Sequence, residues 1–501
     1  MSKGKNNKIT LSFRRNKVEL FRKNNLIIFG SDVIQMSQEA LAFFSAATAG
    51  GTPVTETYKV YYNNFINTLK SSGDWTLLDS IYVWATNSEA WAIIDIKNPS
   101  RTVTLQGSYA SRFTANEGWK GNGTGFAVLT NFNPGDGGSY NFTQNSASFG
   151  VLILDNDSVA SKFEAGCQNA GNTQGMVLQA FNPTDRGACN SINNPAASYA
   201  KYRFNGYCWT GVNRTSSTLG NRYVNGVNVQ TQTSTSTALE NKAIGVMGAY
   251  NGAWVAGFYT SNSHAVFYAG GGAVSQKNIQ NAYNLSFNYA NITNITKRVI
   301  FEGDSRTGSV ASPNFSSNSA YPKAVITGLG SGWSGTLVSE SNETVQSMVS
   351  QYTTEIQPFR NTSLNKDVIV IWGGVNDIRT GARTGAQVYA DIVTFCTTAK
   401  ADGFKVVVVG ECDSNFTSYA AMNAERVALR TLMLADSVTA SGVSNVTSGA
   451  SYCDYYIDIF ADTRFQTYSD TTYYQADGIH LNATGSGIIA NTYVLPTVNL
   501  L

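Results

Sequence analysis

Apolar side chains recur in three rhythms along this chain, and the rhythm changes twice. Tyr61, Tyr62, Phe65, Ile66 and Leu69 fall at helical spacing. Gly73 supplies a stop, and Asp74 can cap a second helix carrying Leu77, Leu78, Ile81 and Tyr82, so residues 31–105 read as a helical region built on a hairpin. From about Val103 the apolar stretches shorten and alternate, as at 126–129 and 150–154, with Asn-, Gly- and Pro-containing turns between them. In Arg222-Tyr-Val-Asn-Gly-Val-Asn-Val the Asn225-Gly226 pair suits a two-residue hairpin, because both central positions need positive φ. This texture predicts an antiparallel β-sandwich over residues 106–293.

Near Asn294 the pattern changes again. The short apolar runs 299–301, 367–372, 405–409 and 455–460 alternate with helical segments. One helix shows Val388, Ile392, Phe395 and Ala399 on a single face and stops at Gly403, just before a strand. Residues 294–501 therefore read as an α/β domain with a mostly parallel sheet.

Composition fits a multidomain chain with much β-structure. At 501 residues it predicts two to four domains. Only 14% of residues are charged, while 42% are hydrophobic and 12% aromatic, which supplies full cores and excludes a disordered protein. A formal charge of +2 gives no reason to expect a nucleic-acid partner. Positive charge does gather in residues 1–30, at Lys3, Lys5, Lys8, Arg14, Arg15, Lys17, Arg22 and Lys23, either as a solvated tail or as a docking segment for a larger assembly. No apolar run is long enough to span a bilayer, and no export signal is expected. The six cysteines form no Cys-x-x-Cys pair, so they are expected to be buried small residues of a chain made in a reducing compartment.

Three motifs fall where a parallel sheet places its working residues, at the carboxyl ends of strands. Val299-Ile-Phe-Glu-Gly-Asp-Ser-Arg leaves Ser305 at a strand tip, Val368-Ile-Val-Ile-Trp-Gly-Gly-Val-Asn-Asp presents the Asn376 amide, and Asp477-Gly-Ile-His480 precedes a final helix. A serine hydroxyl attacks only when a base takes its proton, and a histidine does this best with a carboxylate to fix its tautomer. Only two histidines exist, and His264, in the β-rich half, is expected to be structural. Two histidines so far apart make no metal site, and no cofactor is implied. The glycine-rich 328–335 lacks a following Gly-Lys-Ser/Thr, and no Gly-x-Ser-x-Gly elbow is present.

Gly303-Asp304-Ser305, Gly374-Val375-Asn376-Asp377 and Asp477-x-x-His480 resemble the sequence blocks of SGNH (GDSL-like) hydrolases, from about Lys297 onward. The resemblance implies a three-layer α/β esterase. Its nucleophile would be Ser305, its base His480 and its orienting carboxylate Asp477. Its oxyanion hole would come from the Ser305 amide, the Asn376 side chain and the amide of a residue in a further block. That block, Thr336-Leu-Val-Ser-Glu-Ser-Asn-Glu-Thr, puts Asn342 where the family has glycine. Asparagine tolerates left-handed φ better than most residues, so the donor can survive the exchange. Arg306 stands where the family has leucine and is expected to stay outside the mechanism.

Trp75-Thr-Leu-Leu-Asp-Ser-Ile-Tyr82, Phe113-Thr-Ala-Asn-Glu-Gly-Trp-Lys-Gly-Asn-Gly123 and Tyr223-Val-Asn-Gly226 are similar to the laminin-G or concanavalin-like region of phage tail proteins, over roughly 58–289. That likeness implies a lectin-like domain in a tail-fibre or tailspike component, made in the host cytoplasm and carried on the virion. Its partners would be other virion proteins and a bacterial surface glycan, as substrate or receptor, and by analogy with tail fibres it would be a homo-trimer. Two functions are compatible with this: an esterase removing acyl groups, above all O-acetyl, from that polysaccharide, or a receptor-binding or structural protein with a weak or inactive hydrolase domain.

Overall fold

A computed structural model describes residues 22–23, 26–29, 32–108, 111–154, 162–171, 175–179, 187–188, 202–205, 208–287, 297–308, 321–330, 332–360, 364–416, 418–436 and 439–501. The basic segment up to residue 21 and Cys189 lie outside these. The other five cysteines are buried and free.

A helical hairpin opens the well-packed part of the chain, but not the predicted one. Gln38–Ala49, capped by the Ser37 hydroxyl accepting from the Ala40 amide, packs on Glu56–Ser71, whose Tyr62, Phe65, Ile66 and Leu69 are buried as their spacing requires. The expected second helix after Gly73 lasts one turn, Asp74–Leu77, and Leu78–Val83 is a strand paired with Ser263–Gly270. Five of its six residues are buried, so it shows no alternation between a wet and a dry face. Without that alternation, a fully buried strand and a helix share the same apolar content, and pairing with a neighbour decides.

The β-rich half holds two antiparallel sheets. Trp119, Phe149, Val151 and Phe267 of one share a hydrophobic cluster with Val128, Ala165, Leu178 and Val246 of the other. The Asn225-Gly226 turn forms as read: φ is 47° and 81°, and Val224 pairs with Val227 across it. His264 is fully buried, with Nε2 3.0 Å from the Glu164 carboxylate oxygen Oε2 and Nδ1 3.2 Å from Asn262 O, a structural placement.

The last two hundred residues build on five parallel strands: β1 (Lys297–Gly303), β2 (Trp333–Ser339), β3 (Lys366–Trp372), β4 (Lys405–Val409) and β5 (Tyr455–Ile457). Their spatial order is β2-β1-β3-β4-β5. Antiparallel strands extend both edges: Val446–Ser448 beside β5, and Tyr202–Asn205, from the β-rich half, beside β2.

Alternation along these strands sorts side chains into two cores. Ile300, Ile369, Ile371, Val406 and Val408 cluster with residues of the helices Val345–Glu355, Gly385–Ala401 and Tyr419–Asp436. Val299, Phe301, Val368, Val370 and Val407 cluster instead with Tyr321–Leu329 and the C-terminal helical run. The result is three layers, with the central parallel strands covered on both faces. No helix among the described residues is long and apolar enough to cross a membrane.

Gly226 in the tight turn cannot accept a side chain, because a Cβ there would lie 2.6 Å from Lys277 Cβ as well as taking positive φ. Gly226→Ala is expected to cost about 1–3 kcal/mol, read from urea unfolding followed by tryptophan fluorescence; Asn225→Gly should cost far less.

Candidate active site

The order of the strands opens the crevice. Because β2 lies on one side of β1 and β3 on the other, the connections leaving their carboxyl ends diverge, and β1 delivers its next residues into the gap. Gly303 pairs with Ser339 of β2 and Trp372 of β3, so the three strands end level. Ser305 follows β1 by two residues, Asn342 follows β2 by three and Asn376 follows β3 by four.

Three predicted residues meet in a chain of hydrogen bonds. Ser305 Oγ is 2.8 Å from His480 Nε2, and His480 Nδ1 is 2.6 Å from Asp477 Oδ2. The other carboxylate oxygen, Oδ1, accepts from the Ile479 amide at 2.9 Å and the His480 amide at 3.0 Å, which fixes the short loop. Burial raises the Asp477 carboxyl, but the bonds from the His480 ring and the two amides outweigh it and hold the group below its ordinary value. An ionised carboxylate only accepts, so Nδ1 carries the ring proton and Nε2 is left to take the serine's. The Asp477 side chain is 42% exposed and that of His480 14%, so the pair sits at the mouth of the crevice.

Asn376 is hydrogen-bonded to the loop that carries Asn342. Asn342 adopts φ 63°, the left-handed conformation that glycine would take at the same place. Among the described residues its amide and that of Ser305 donate to nothing. The Asn376 side chain donates one Nδ2 hydrogen to Glu343 O at 2.9 Å and keeps a second, and the next residue, Asp377, accepts from the Val345 amide at 2.8 Å. Consecutive residues after β3 thus pin the chain immediately following Asn342.

Arg306 takes no part in the relay, but it ties two turns of the site together. Its guanidinium is buried, donates to Glu411 Oε2 at 2.5 Å and to Cys412 Sγ at 3.2 Å, and stacks 5.3 Å from the Trp372 ring centre. Glu411 Oε1 accepts from the Val375 amide at 3.2 Å. The turn bearing the serine is thereby joined, through one ion pair, to the turn bearing Asn376. Motif reading overlooked Glu411, although its place two residues past β4 follows the same strand-end rule.

Acidic groups gather beside the loop that carries Asn342. Carboxylate oxygens of Glu340, Glu343 and Glu355 lie within 4.8 Å of one another. Burial first, then the charges of Glu343 and Glu355, push the Glu302 carboxyl on β1 well above its ordinary range.

No family model matches the sequence, and no curated protein does. Solved structures do resemble part of it. A GDSL-like lipase from Bacteroides thetaiotaomicron is 17% identical, matching 40% of this chain and 87% of its own at a TM-score of 0.29. A carbohydrate acetylesterase family member from Sinorhizobium meliloti is 15% identical over 41% and 98%, also at 0.29. An acetylxylan esterase from Geobacillus stearothermophilus is 15% identical over 39% and 91%, again at 0.29. Likenesses this distant say nothing about what the chain does, and the chemistry has to come from its own side chains.

Removing Arg306 would leave Glu411 and Asp304 buried without their cation. Arg306→Leu is expected to destabilise the α/β half by about 3–5 kcal/mol, measured by chemical denaturation; a variant as stable as wild type would show the ion pair to be dispensable. Asp304 provides a pH test. Burial, opposed by Arg306 and reinforced by Glu411, lifts its carboxyl from 3.8 to about 6. Between those values the folded protein holds a proton that the unfolded chain has released, so this group's contribution to stability falls as pH rises from about 4 to 6. Asp304→Asn should flatten the decline over that window, and equal slopes in the two proteins would contradict the assignment.

Proposed function

We propose that this chain is a serine esterase that removes acyl groups, above all O-acetyl, from a polysaccharide. One observation carries the reading: the unbroken hydrogen-bonded relay from Ser305 Oγ through the His480 ring to Asp477. Ser305 Oγ attacks the ester carbonyl carbon as His480 Nε2 takes its proton, and Asp477 stabilises the imidazolium. The amides of Ser305 and Asn342 and the free Asn376 hydrogen are the donors for the oxyanion. His480 then protonates the departing alcohol, and water attacks the acyl-serine with His480 again as base, releasing the acid.

The setting of this activity is the second part of the proposal. We place the enzyme on a virion, in a tail-fibre or tailspike component, acting on a bacterial surface polysaccharide. Support comes from the phage-tail resemblance of the first half and from its two antiparallel sheets packed about one core, the architecture such lectin-like sandwiches share. The alternative, a binding protein with a weak hydrolase domain, drew its force from asparagine at a glycine position. The left-handed φ of Asn342 answers that objection, since the backbone shape a glycine would take is kept.

Hydrolysis of 4-nitrophenyl acetate tests the reading. Ser305→Ala should lower kcat by about 10³-fold or more, and adding His480→Ala should cost little further, because the two residues act as a unit. Equal rates for wild type and Ser305→Ala would end the proposal.

A further inference from the structure

Next to the triad the chain builds a second surface that hydrolysis itself does not use. Asp413, buried just past β4, holds two aromatic residues from separate segments. Its Oδ1 accepts from the Tyr419 hydroxyl at 2.9 Å and its Oδ2 from the Tyr468 amide at 3.0 Å. The two rings lie 5.4 Å apart at a tilt of 49°, and Phe416 stands behind Tyr419 at 6.4 Å.

This group is fastened to the catalytic loop. The Asn415 amide donates to Gly478 O at 2.9 Å, Asn415 Nδ2 donates to Asp477 O at 3.2 Å, and a Cβ on Gly478 would lie 2.7 Å from Tyr468 Cδ2. The aromatic pair and the Asp477–His480 loop are therefore in direct contact.

Tyr419 is 40% exposed, and among the described residues it is the one aromatic side chain in the set of exposed large hydrophobic residues. An isolated exposed ring needs no explanation by itself. This one has its hydroxyl tied to a buried carboxylate and its edge against a second ring, so its rotamer is fixed before anything binds, which lowers the entropic cost of binding. Its surroundings are polar: Asn415, Ser418, Gln466, Thr467 and Ser469 are all exposed. A rigid apolar face within a hydrogen-bonding rim complements a pyranose ring, which has C–H groups on its faces and oxygens around its edge. A long acyl chain would instead need an enclosed apolar channel.

We propose that Tyr419 and Tyr468 form a stacking platform that seats a sugar ring of the substrate while its acyl group reaches Ser305. This rests on the esterase reading above and assigns the alcohol side of the ester to a pyranoside.

The test measures acid release from methyl β-D-glucopyranoside tetraacetate and from methyl acetate, with wild type, Tyr419→Ala, Tyr419→Trp and Val427→Ala. Val427, exposed on the same helix, serves as the control and should leave both reactions unchanged. Losing contact with roughly 50 Å² of ring face corresponds to about a tenfold effect. Tyr419→Ala should accordingly lower the preference for the pyranoside, as the ratio of the two kcat/KM values, about tenfold, through KM. Tyr419→Trp should restore it. A preference unchanged in Tyr419→Ala, or lost equally in Val427→Ala, overturns the platform while leaving the esterase standing. Hydrolysis of neither ester by wild type overturns both.

Discussion

Parallel pairing of β1 between β2 and β3 is the constraint on which the rest depends. The pairing is in register over all seven residues of β1, so three strands finish at one level, and their following turns have nowhere to go but the same rim. Residues separated by scores of positions in the chain become neighbours without any long-range design beyond strand order. The nucleophile and the amide donors are then matters of which residue sits a few positions past each strand, while the base comes from the loop before the last helical run.

Charge is buried beneath that rim on a scale that the polar surface composition does not suggest. Arg306, Glu411, Asp304 and Asp377 all lie in the interior behind the serine. Burying them is costly, and such pairs rarely add to net stability. Their geometry indicates another use: the Arg306–Glu411 pair with the Val375 amide, and Asp377 with the Val345 amide, join one strand-end turn to another, while Asp304 braces the serine turn from within. Apolar residues of equal volume would fill the same space but could not hold the turns at fixed hydrogen-bond distances.

The α/β half was readable because its signals are local and redundant. A strand such as β3 is a run of apolar residues buried on both faces, and the turn after it announces itself with two glycines. Ser305, Asp477 and His480 could be picked out because their chemistry requires those residue types. Asn342 was located through a family pattern, and its left-handed φ agrees with the reason given for tolerating it. What escaped was set by partners distant in the chain. Leu78–Val83 took strand form because Ser263–Gly270 lies beside it, nearly two hundred residues away. Arg306 became an interior cation because Glu411 arrives from β4. Nothing near either residue in the sequence records those encounters.

The strand Tyr202–Asn205 carries a consequence for how the molecule can be divided. It comes from the β-rich half yet pairs along β2 from Tyr202 opposite Val338 to Asn205 opposite Gly335. A fragment beginning at residue 294 would keep every group of the relay but leave that margin of the sheet with bare amides and carbonyls. Such a margin recruits whatever extended chain is nearest, including another copy of itself. The two halves are thus coupled through solubility as well as through sequence, and any catalytic unit cut out for separate use should carry its borrowed strand along.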